Sequence, residues 1–134
     1  MDRLYLHLVW ATWKRLLLVT PERERVLAEA MTATARALGA EILQMGGMPD
    51  HIHVLVRFPS TVTVAELVKR LKGSSSHRIT KEDGSAGFFR WQKGYGAYSV
   101  SRWDVGRVRR YIRHQREHHE RGDLRGHLER MGAE

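Results

Sequence analysis

The sequence contains no cysteine, which excludes disulfide bonds and thiolate metal sites and makes a reducing cytoplasm the expected compartment. It also lacks any run of about 20 apolar residues, the length that a membrane-spanning helix needs. Its first residues include no long apolar segment, so no signal peptide is expected. Because no linker, repeat or low-complexity tract interrupts the chain, we predict a single domain over residues 1–134.

Acidic residues are in the minority, with 15 Asp and Glu against 23 Lys and Arg. The resulting net charge of +8 and isoelectric point near 10.4 favour a polyanionic partner such as nucleic acid. Charge alone also fits a basic protein without such a partner. The apolar fraction of 42% is typical of a globular chain, and a domain of this length has a modest core that oligomerisation would support.

The spacing of apolar residues predicts the element order β-α-β-β-α-β-α. The predicted strands are residues 4–12, 41–45, 51–58 and 98–101. The predicted helices begin at the caps Thr20 and Thr63 and at about residue 105, and the last one reaches about residue 121. We expect Gly39 to end the first helix, residues 73–76 to end or fray the second, and residues 46–50 to form a turn or bulge.

This order predicts an α+β fold, because its first six elements have the βαββαβ pattern of ferredoxin-like domains. Four antiparallel strands would carry two helices on one face of the sheet. The C-terminal helix would then be left to lie on, or near, the other face.

One polar pair interrupts the most β-rich segment of the chain. His51 and His53 point to one face of the predicted strand, whereas Ile52 and Val54 point to the other, because side chains alternate along a strand. Two neighbouring imidazoles can bind one metal ion. Histidines on a strand are more commonly plain polar surface, but a polar pair in an otherwise apolar strand needs a reason.

A second pair lies on the predicted C-terminal helix. Tyr111 and Gln115 are four residues apart and therefore share a helix face. A core tyrosine and a solvated glutamine are the ordinary alternatives. Together with His51 and His53, however, the pair makes chemical sense. A phenol is a competent nucleophile, and a metal held by two imidazoles and an amide oxygen keeps open positions for phosphate oxygens.

These motifs resemble a known family. The His-hydrophobic-His motif of GGMPDHIHVLV (residues 46–56) and the Tyr-x-x-x-Gln motif that follows GYGAYSV (residues 94–100) resemble the HUH single-tyrosine transposases of the insertion-sequence 200/605 kind. The domesticated REP-associated tyrosine transposases are similar. The resemblance extends over about residues 6–119. One departure is His114, where many members carry asparagine.

The resemblance implies a role for each motif residue. His51, His53 and Gln115 would bind Mg²⁺ or Mn²⁺, and Tyr111 on the C-terminal helix would be the nucleophile. The expected activity is metal-dependent cleavage and strand transfer of single-stranded DNA through a 5′-phosphotyrosine intermediate, at element ends that bear hairpins. The resemblance also implies a homodimer, in which the tyrosine helix of one subunit often completes the partner's histidine site, and a bacterial or archaeal, nucleoid-associated location.

Basic and aromatic residues extend the hypothesis to DNA contacts. Seven cations could follow a phosphate backbone: Lys14, Arg15, Lys69, Arg70, Lys72, Arg90 and Lys93. Four aromatic residues could stack on unpaired bases: Trp13, Phe89, Trp91 and Tyr95. For Phe89 and Tyr95, a position in the core is the alternative. His7 and His77 are expected to be ordinary polar residues. The alternative function is a non-catalytic, basic ferredoxin-like module that binds nucleic acid.

Overall fold

A four-stranded antiparallel sheet is the centre of the fold. The computed structural model describes residues 3–83 and 88–115. Across the sheet the strands follow the order β2-β3-β1-β4. Their bounds are Arg3–Ala11 for β1, Glu41–Met48 for β2, His51–Pro59 for β3 and Gly96–Ser99 for β4. Because this is the ferredoxin-like order, the predicted α+β fold is confirmed.

Helices cover both faces of the sheet. Helices α1 (Pro21–Ala37) and α2 (Val64–Asp83) pack against each other on one face, and α3 (Val105–Arg113) contacts β2 and β3 from the other. The C-terminal helix therefore lies on the predicted face of the sheet, opposite α1 and α2. None of the described helices combines the length and the apolar character needed to cross a membrane.

The apolar core lies between the sheet and the pair α1 and α2. The strands contribute alternate residues to it, and both helices contribute one apolar stripe. Its fully buried members include Leu8, Trp10, Ile52, Val54, Leu27, Met31, Leu67 and Leu71. Each such aliphatic side chain contributes about 1.5–3 kcal/mol of transfer free energy, so this face carries most of the burial that holds the sheet.

The predicted helix caps are confirmed. The Thr20 hydroxyl accepts a hydrogen bond from the Arg23 amide at 3.2 Å, and Thr63 caps α2 through the Glu66 amide at 3.1 Å. Gly39 follows the end of α1 with a φ of 78°, a conformation that glycine adopts without strain.

The prediction of a turn or bulge over residues 46–50 was correct only at its end, because Pro49 and Asp50 form the turn between β2 and β3, whereas residues 46–48 belong to β2. Strand β2 continues to Met48, and its register shift lies earlier, between Ile42 and Gln44. The glycines serve close packing instead. A Cβ on Gly46 would lie 2.7 Å from the carbonyl oxygen of Ile112 in α3, so only glycine lets the helix approach the strand this closely.

The prediction that residues 73–76 end or fray the second helix was wrong, because α2 continues to Asp83. The serines fit inside the helix because their hydroxyls find partners. The Trp91 indole donates to the buried Ser75 hydroxyl at 3.1 Å, and Thr34 of α1 donates to Ser74 at 2.7 Å. The small side chains thus let α2 pack closely against its neighbours.

Two further boundaries differ from the sequence prediction. Strand β4 begins at Gly96, two residues before the predicted start at Tyr98. Helix α3 ends at Arg113, where His114 is the C-cap and its amide bonds to the Arg110 carbonyl. The part of the predicted helix beyond Gln115 lies outside the described residues.

Candidate active site

The start of β3 brings two imidazoles together beneath α3. His51 and His53 are 1% and 0% exposed, and their ring centroids lie 5.2 Å apart. They occupy the sheet face opposite the apolar core, because Ile52 between them belongs to the core cluster. The alternation read from the sequence therefore places both rings side by side.

Each imidazole has a polar neighbour at its Nδ1 atom. His51 Nδ1 lies 2.8 Å from Asp50 Oδ1, and His53 Nδ1 lies 2.9 Å from Nε2 of His7 on β1. His7 is itself buried, at 3% exposure. The Nε2 atoms of both β3 histidines are buried as well, on the opposite side of their rings.

Helix α3 and the residues directly after it supply the other two predicted residues. The Tyr111 ring lies 5.8 Å from the His53 ring and 6.1 Å from the His7 ring, centroid to centroid. Gln115, just past the end of α3, is 1% exposed. A single chain thus brings together Tyr111, Gln115 and the two β3 histidines.

Burial sets the ionisation of the groups in this cluster. It raises the pKa of the Tyr111 phenol from 10.0 to about 12, against the smaller, opposite effect of a hydrogen bond with the Gln115 side chain. Burial also acts to raise the pKa of Asp50, but the hydrogen bond and charge interaction with His51, together with the Arg15 charge, leave it below its ordinary value. At neutral pH Asp50 is therefore a carboxylate and Tyr111 a neutral phenol.

The donor atoms of the cluster suit a divalent cation. Among the described residues, Nε2 of His51 is buried without a hydrogen-bond partner, and the buried Gln115 side chain lies against Tyr111. Leaving a buried polar atom without a partner costs about 1–3 kcal/mol, so such atoms call for a ligand. The described residues hold no cluster of three or more His, Cys, Asp or Glu that could bind a metal, so the amide oxygen would have to complete the set.

Three predicted DNA-contact residues lie close to Asp50, at the end of the sheet where β3 begins. Lys14 and Arg15 form a tight turn after β1, with φ values of 53° and 57°. Arg15 forms an ion pair with Asp50 at 3.5 Å, and the Arg90 guanidinium lies 4.0 Å from the centre of the Trp13 ring. The turn therefore presents positive charge next to the histidine cluster.

The other predicted DNA contacts lie on α2 and on the segment before β4. Lys69 and Lys93 are exposed, and Arg70 pairs with Glu66 at 3.6 Å. Lys72 donates to the carbonyl oxygens of Gln92, at 2.7 Å, and Gly94. These two bonds give Lys72 a structural task, and all seven DNA contacts stay predictions.

Two of the four predicted stacking residues belong to the core. Phe89 and Trp91 are each 8% exposed and pack edge to face, with centroids 4.8 Å apart. They offer no surface to a base. Trp103, which the sequence analysis did not single out, is 81% exposed before α3, with the Arg102 guanidinium 4.6 Å from its ring centre.

The sequence analysis missed two residues of the site. The expectation that His7 is an ordinary polar residue was wrong, whereas His77 is exposed as expected. His7 shares its sheet face with Val9, which pairs with His53 across the β1–β3 ladder. Alternation placed His7 on that face, but only the strand register shows which residue it meets. Asp50 carried no signal beyond its position next to His51.

Comparisons with known proteins agree with this arrangement. A curated relative, the ISDra2 transposase TnpA of Deinococcus radiodurans, is 28% identical over 117 residues, which are 83% of each chain. The transposase for insertion sequence element IS200 of Salmonella typhimurium is 27% identical over 122 residues, covering 87% of this chain and 80% of that one.

Solved structures show the same fold. A Deinococcus radiodurans transposase of known crystal structure superposes with a TM-score of 0.67 and 26% identity, covering 86% of this chain and 92% of that one. A REP-associated tyrosine transposase bound to a REP hairpin superposes with a TM-score of 0.61 and 18% identity, covering 88% and 68%. The sequence profile described as "Transposase IS200 like" matches residues 1–115. The chain therefore belongs to the IS200-like transposase family, whose members are DNA-cleaving and strand-transferring enzymes.

Proposed function

We propose that this transposase cleaves and rejoins single-stranded DNA through a covalent bond between Tyr111 and a 5′ phosphate. The observation that carries the proposal is the buried cluster in which the Tyr111 ring lies 5.8 Å from the His53 ring, beside His51 and Gln115. A phenol, two imidazoles and an amide at one place are the groups that tyrosine-dependent phosphoryl transfer with a metal requires.

His51, His53 and Gln115 would hold the metal, Mg²⁺ or Mn²⁺. Histidine nitrogen with amide oxygen suits these ions when phosphate oxygens complete the coordination. When bound, the ion supplies Lewis-acid neutralisation of charge on the phosphate. Nε2 of His51, which is buried without a hydrogen-bond partner among the described residues, supports this assignment.

Tyr111 supplies the chemistry. Its hydroxyl oxygen bonds to the phosphorus, while the bond from phosphorus to the 3′ oxygen of the preceding nucleotide breaks and that oxygen leaves as a hydroxyl. The products are a 5′-phosphotyrosine and a free 3′-hydroxyl. Attack by a second 3′-hydroxyl reverses the step and completes strand transfer. Exposed arginines make α3, the helix that carries Tyr111, strongly basic, which suits the approach of a phosphate: Arg109, Arg110 and Arg113.

The substrate class follows from charge and from one relative. The net charge of +8 and the basic turn at Lys14 and Arg15 suit a polyanion. The REP-associated tyrosine transposase that shares this fold was solved with a REP hairpin. We infer that the present chain recognises hairpin-bearing single-stranded ends of its element, and that it does so as a homodimer.

A covalent-adduct assay tests the proposal. Wild-type protein incubated with Mn²⁺ and end-labelled single-stranded DNA carrying a hairpin should give a labelled protein band on a denaturing gel. Tyr111→Phe should lose the band completely while binding the DNA with unchanged affinity. Tyr5→Phe, which removes the same hydroxyl from β1, is the matched control and should keep it. An adduct in Tyr111→Phe would mean that another residue is the nucleophile.

A non-catalytic nucleic-acid-binding module is the second candidate, favoured only by the net charge. A pure binder has no use for a half-buried phenol next to two buried imidazoles. If the wild-type protein and Tyr111→Phe bind DNA equally and neither forms an adduct with any element-derived strand, the binding function is correct.

A further inference from the structure

We propose that Asp50 and His7 are positioning residues that fix the tautomers of His51 and His53, so that both imidazoles offer Nε2 to the metal. The inference rests on the proposed metal site and adds to it the residues that prepare the ligands. A metal-binding histidine commonly donates its second ring N–H to a carboxylate or another acceptor, and such partners tune affinity by about 10–100-fold.

The Asp50–His51 contact fixes the first tautomer. Asp50 is a carboxylate and can only accept a hydrogen bond, so at 2.8 Å the proton must be on Nδ1 of His51. Nε2 of the neutral ring then carries its lone pair, and it is the buried atom without a hydrogen-bond partner among the described residues. The second carboxylate oxygen of Asp50 pairs with Arg15 at 3.5 Å, which holds the carboxylate in place.

The His7–His53 contact fixes the second tautomer. One imidazole must donate and the other accept across the 2.9 Å between His53 Nδ1 and His7 Nε2. If His7 donated, the neutral His53 ring would carry its proton on Nε2 and could not bind a metal there. We therefore assign the proton to His53 Nδ1, with His7 Nε2 as the acceptor.

The surroundings of His7 hold its ring next to His53. His7 is 3% exposed, and its ring lies 6.1 Å from the Tyr111 ring and 6.2 Å from the Tyr98 ring of β4. The β1–β3 ladder, in which Val9 pairs with His53, fixes the backbone on both sides of the contact. The turn before β3 and strand β1 thus each supply a partner to Nδ1 of one histidine, so the same nitrogen of both rings is engaged.

Nitrogen-15 NMR of the metal-free wild-type protein tests the tautomers without any activity measurement. Two-bond proton–nitrogen correlations identify which nitrogen of each of the 8 histidines carries the proton. We expect His51 and His53 to be protonated on Nδ1 and not on Nε2. A proton on Nε2 of either ring in the neutral state would overturn the assignment for that residue.

Calorimetric titration with Mn²⁺ tests the consequence. Asp50→Ala and His7→Phe should each weaken Mn²⁺ binding by about 10–100-fold. Asp50→Asn and His7→Gln keep an acceptor oxygen, so their losses should be smaller. Asp83→Ala and His77→Phe make the matched changes at side chains away from the cluster and should leave Mn²⁺ affinity unchanged. Circular dichroism with thermal melting identifies any variant that fails to fold. For the residue changed in such a variant, the tautomer that NMR finds in the wild-type protein is the test of the inference.

The outcomes separate this inference from the proposed function. If the wild-type protein binds Mn²⁺ and forms the DNA adduct, but folded Asp50→Ala and His7→Phe bind Mn²⁺ like wild type, the positioning roles are wrong and the function stands. If the wild-type protein binds no Mn²⁺ and forms no adduct, the metal site and the inference fall together. Loss of affinity in the alanine and phenylalanine variants, with recovery in the asparagine and glutamine variants, supports the inference.

Discussion

At the residue scale, the candidate site is a set of polar side chains enclosed on almost every side. His51, His53 and Gln115 are each no more than 1% exposed. Enclosing a polar atom without a hydrogen bond costs about 1–3 kcal/mol, and Nε2 of His51 has no partner among the described residues. An arrangement that lowers the stability of the fold is typical of a site that is completed by a ligand.

The buried phenol has a measurable signature in alkali. Burial raises the pKa of Tyr111 to about 12, whereas the unfolded chain has the ordinary value of 10.0. Because the folded state holds this proton more tightly, the contribution to stability is complete below pH 10.0 and is lost as the pH rises towards about 12. Metal-free Tyr111→Phe should lack this part of the alkaline loss of stability.

Phenolate absorbance during a pH titration measures the same group directly. In the metal-free protein, Tyr111 should ionise in a late phase near pH 12, and this phase should be absent from Tyr111→Phe. Tyr5→Phe should keep the late phase. A Tyr111 phase near the ordinary tyrosine pKa would contradict the burial of the phenol.

Local sequence patterns predicted the catalytic candidates, but they did not predict that His7 contacts His53. His51 and His53 follow from alternation on one strand, and Tyr111 and Gln115 from spacing on one helix. The contact between His7 and His53 spans 46 positions and depends on the register of β1 against β3. Alternation is a local pattern, whereas register is set by the packing of the whole sheet.

At the scale of elements, the crossing of α3 over β2 positions the phenol above the imidazoles. The crossing depends on Gly46, since an added Cβ would lie 2.7 Å from the Ile112 carbonyl oxygen and 2.8 Å from Ile112 Cγ2. A backbone carbonyl within a helix cannot move aside alone, so the whole helix would have to shift. The position of Tyr111, one residue before Ile112, is therefore coupled to a glycine on the sheet.

Gly46→Ala tests that coupling. We expect the free energy of unfolding to fall by about 1–3 kcal/mol, as in other overpacked sites, and adduct formation to fall more than DNA binding does. Gly73→Ala is the matched control, because a Cβ on Gly73 meets no atom within 4 Å in the middle of α2. It should stabilise the protein by about 0.5–1 kcal/mol in urea denaturation. Normal adduct formation by Gly46→Ala would show that the close crossing is dispensable.

Element type and order were predictable, and the misplaced boundaries share one physical cause. Glycine and serine favour turns in isolated chains, so residues 46–50 and 73–76 were expected to interrupt their elements. In the fold, Gly46 admits a helix and Ser75 accepts a hydrogen bond from the Trp91 indole. Small residues at the contact between two elements give the same sequence signal as small residues in a loop, and only tertiary packing distinguishes them.

At the scale of the whole molecule, the net charge of +8 should act through the exposed cations. Lys69 is exposed on α2, whereas Lys72 is engaged with the Gln92 and Gly94 carbonyls, and burial lowers its pKa. Each phosphate contact to a single strand contributes about 0.7 to the slope of log affinity against log salt. We therefore expect Lys69 to contact phosphate and Lys72 to stabilise the fold.

Fluorescence anisotropy with single-stranded DNA over a salt series separates the two roles. Lys69→Ala should reduce the salt slope by about 0.7 with little change in stability. Lys72→Met should keep the slope but lower the free energy of unfolding, because the segment before β4 loses the hydrogen bonds from Lys72 to the Gln92 and Gly94 carbonyls. If Lys72→Met reduces the slope as much as Lys69→Ala does, Lys72 also contacts phosphate in the complex.

In a dimer, each active site could take Tyr111 from the chain that supplies the histidines or from the other chain. In the structure of one chain, Tyr111 lies beside the His53 of that same chain, with the ring centroids 5.8 Å apart. Ile112, next to Tyr111, meets Gly46 of the same chain and is 1% exposed, so an exchange of α3 between subunits would have to break this contact and rebuild it on the partner. We therefore expect each subunit of the proposed homodimer to use its own tyrosine.

Mixing two inactive variants tests this expectation. Tyr111→Phe retains the histidine pair and His51→Ala retains the phenol, so neither should form an adduct alone. If each site uses one chain, a mixed dimer holds no complete site, and co-refolded variants should stay inactive. If α3 is exchanged between subunits, one site of the mixed dimer pairs an intact phenol with intact histidines, and up to half of the wild-type adduct per mixed dimer should return. Light scattering and differently tagged subunits would verify that the mixed dimers had formed before the absence of activity is taken as support.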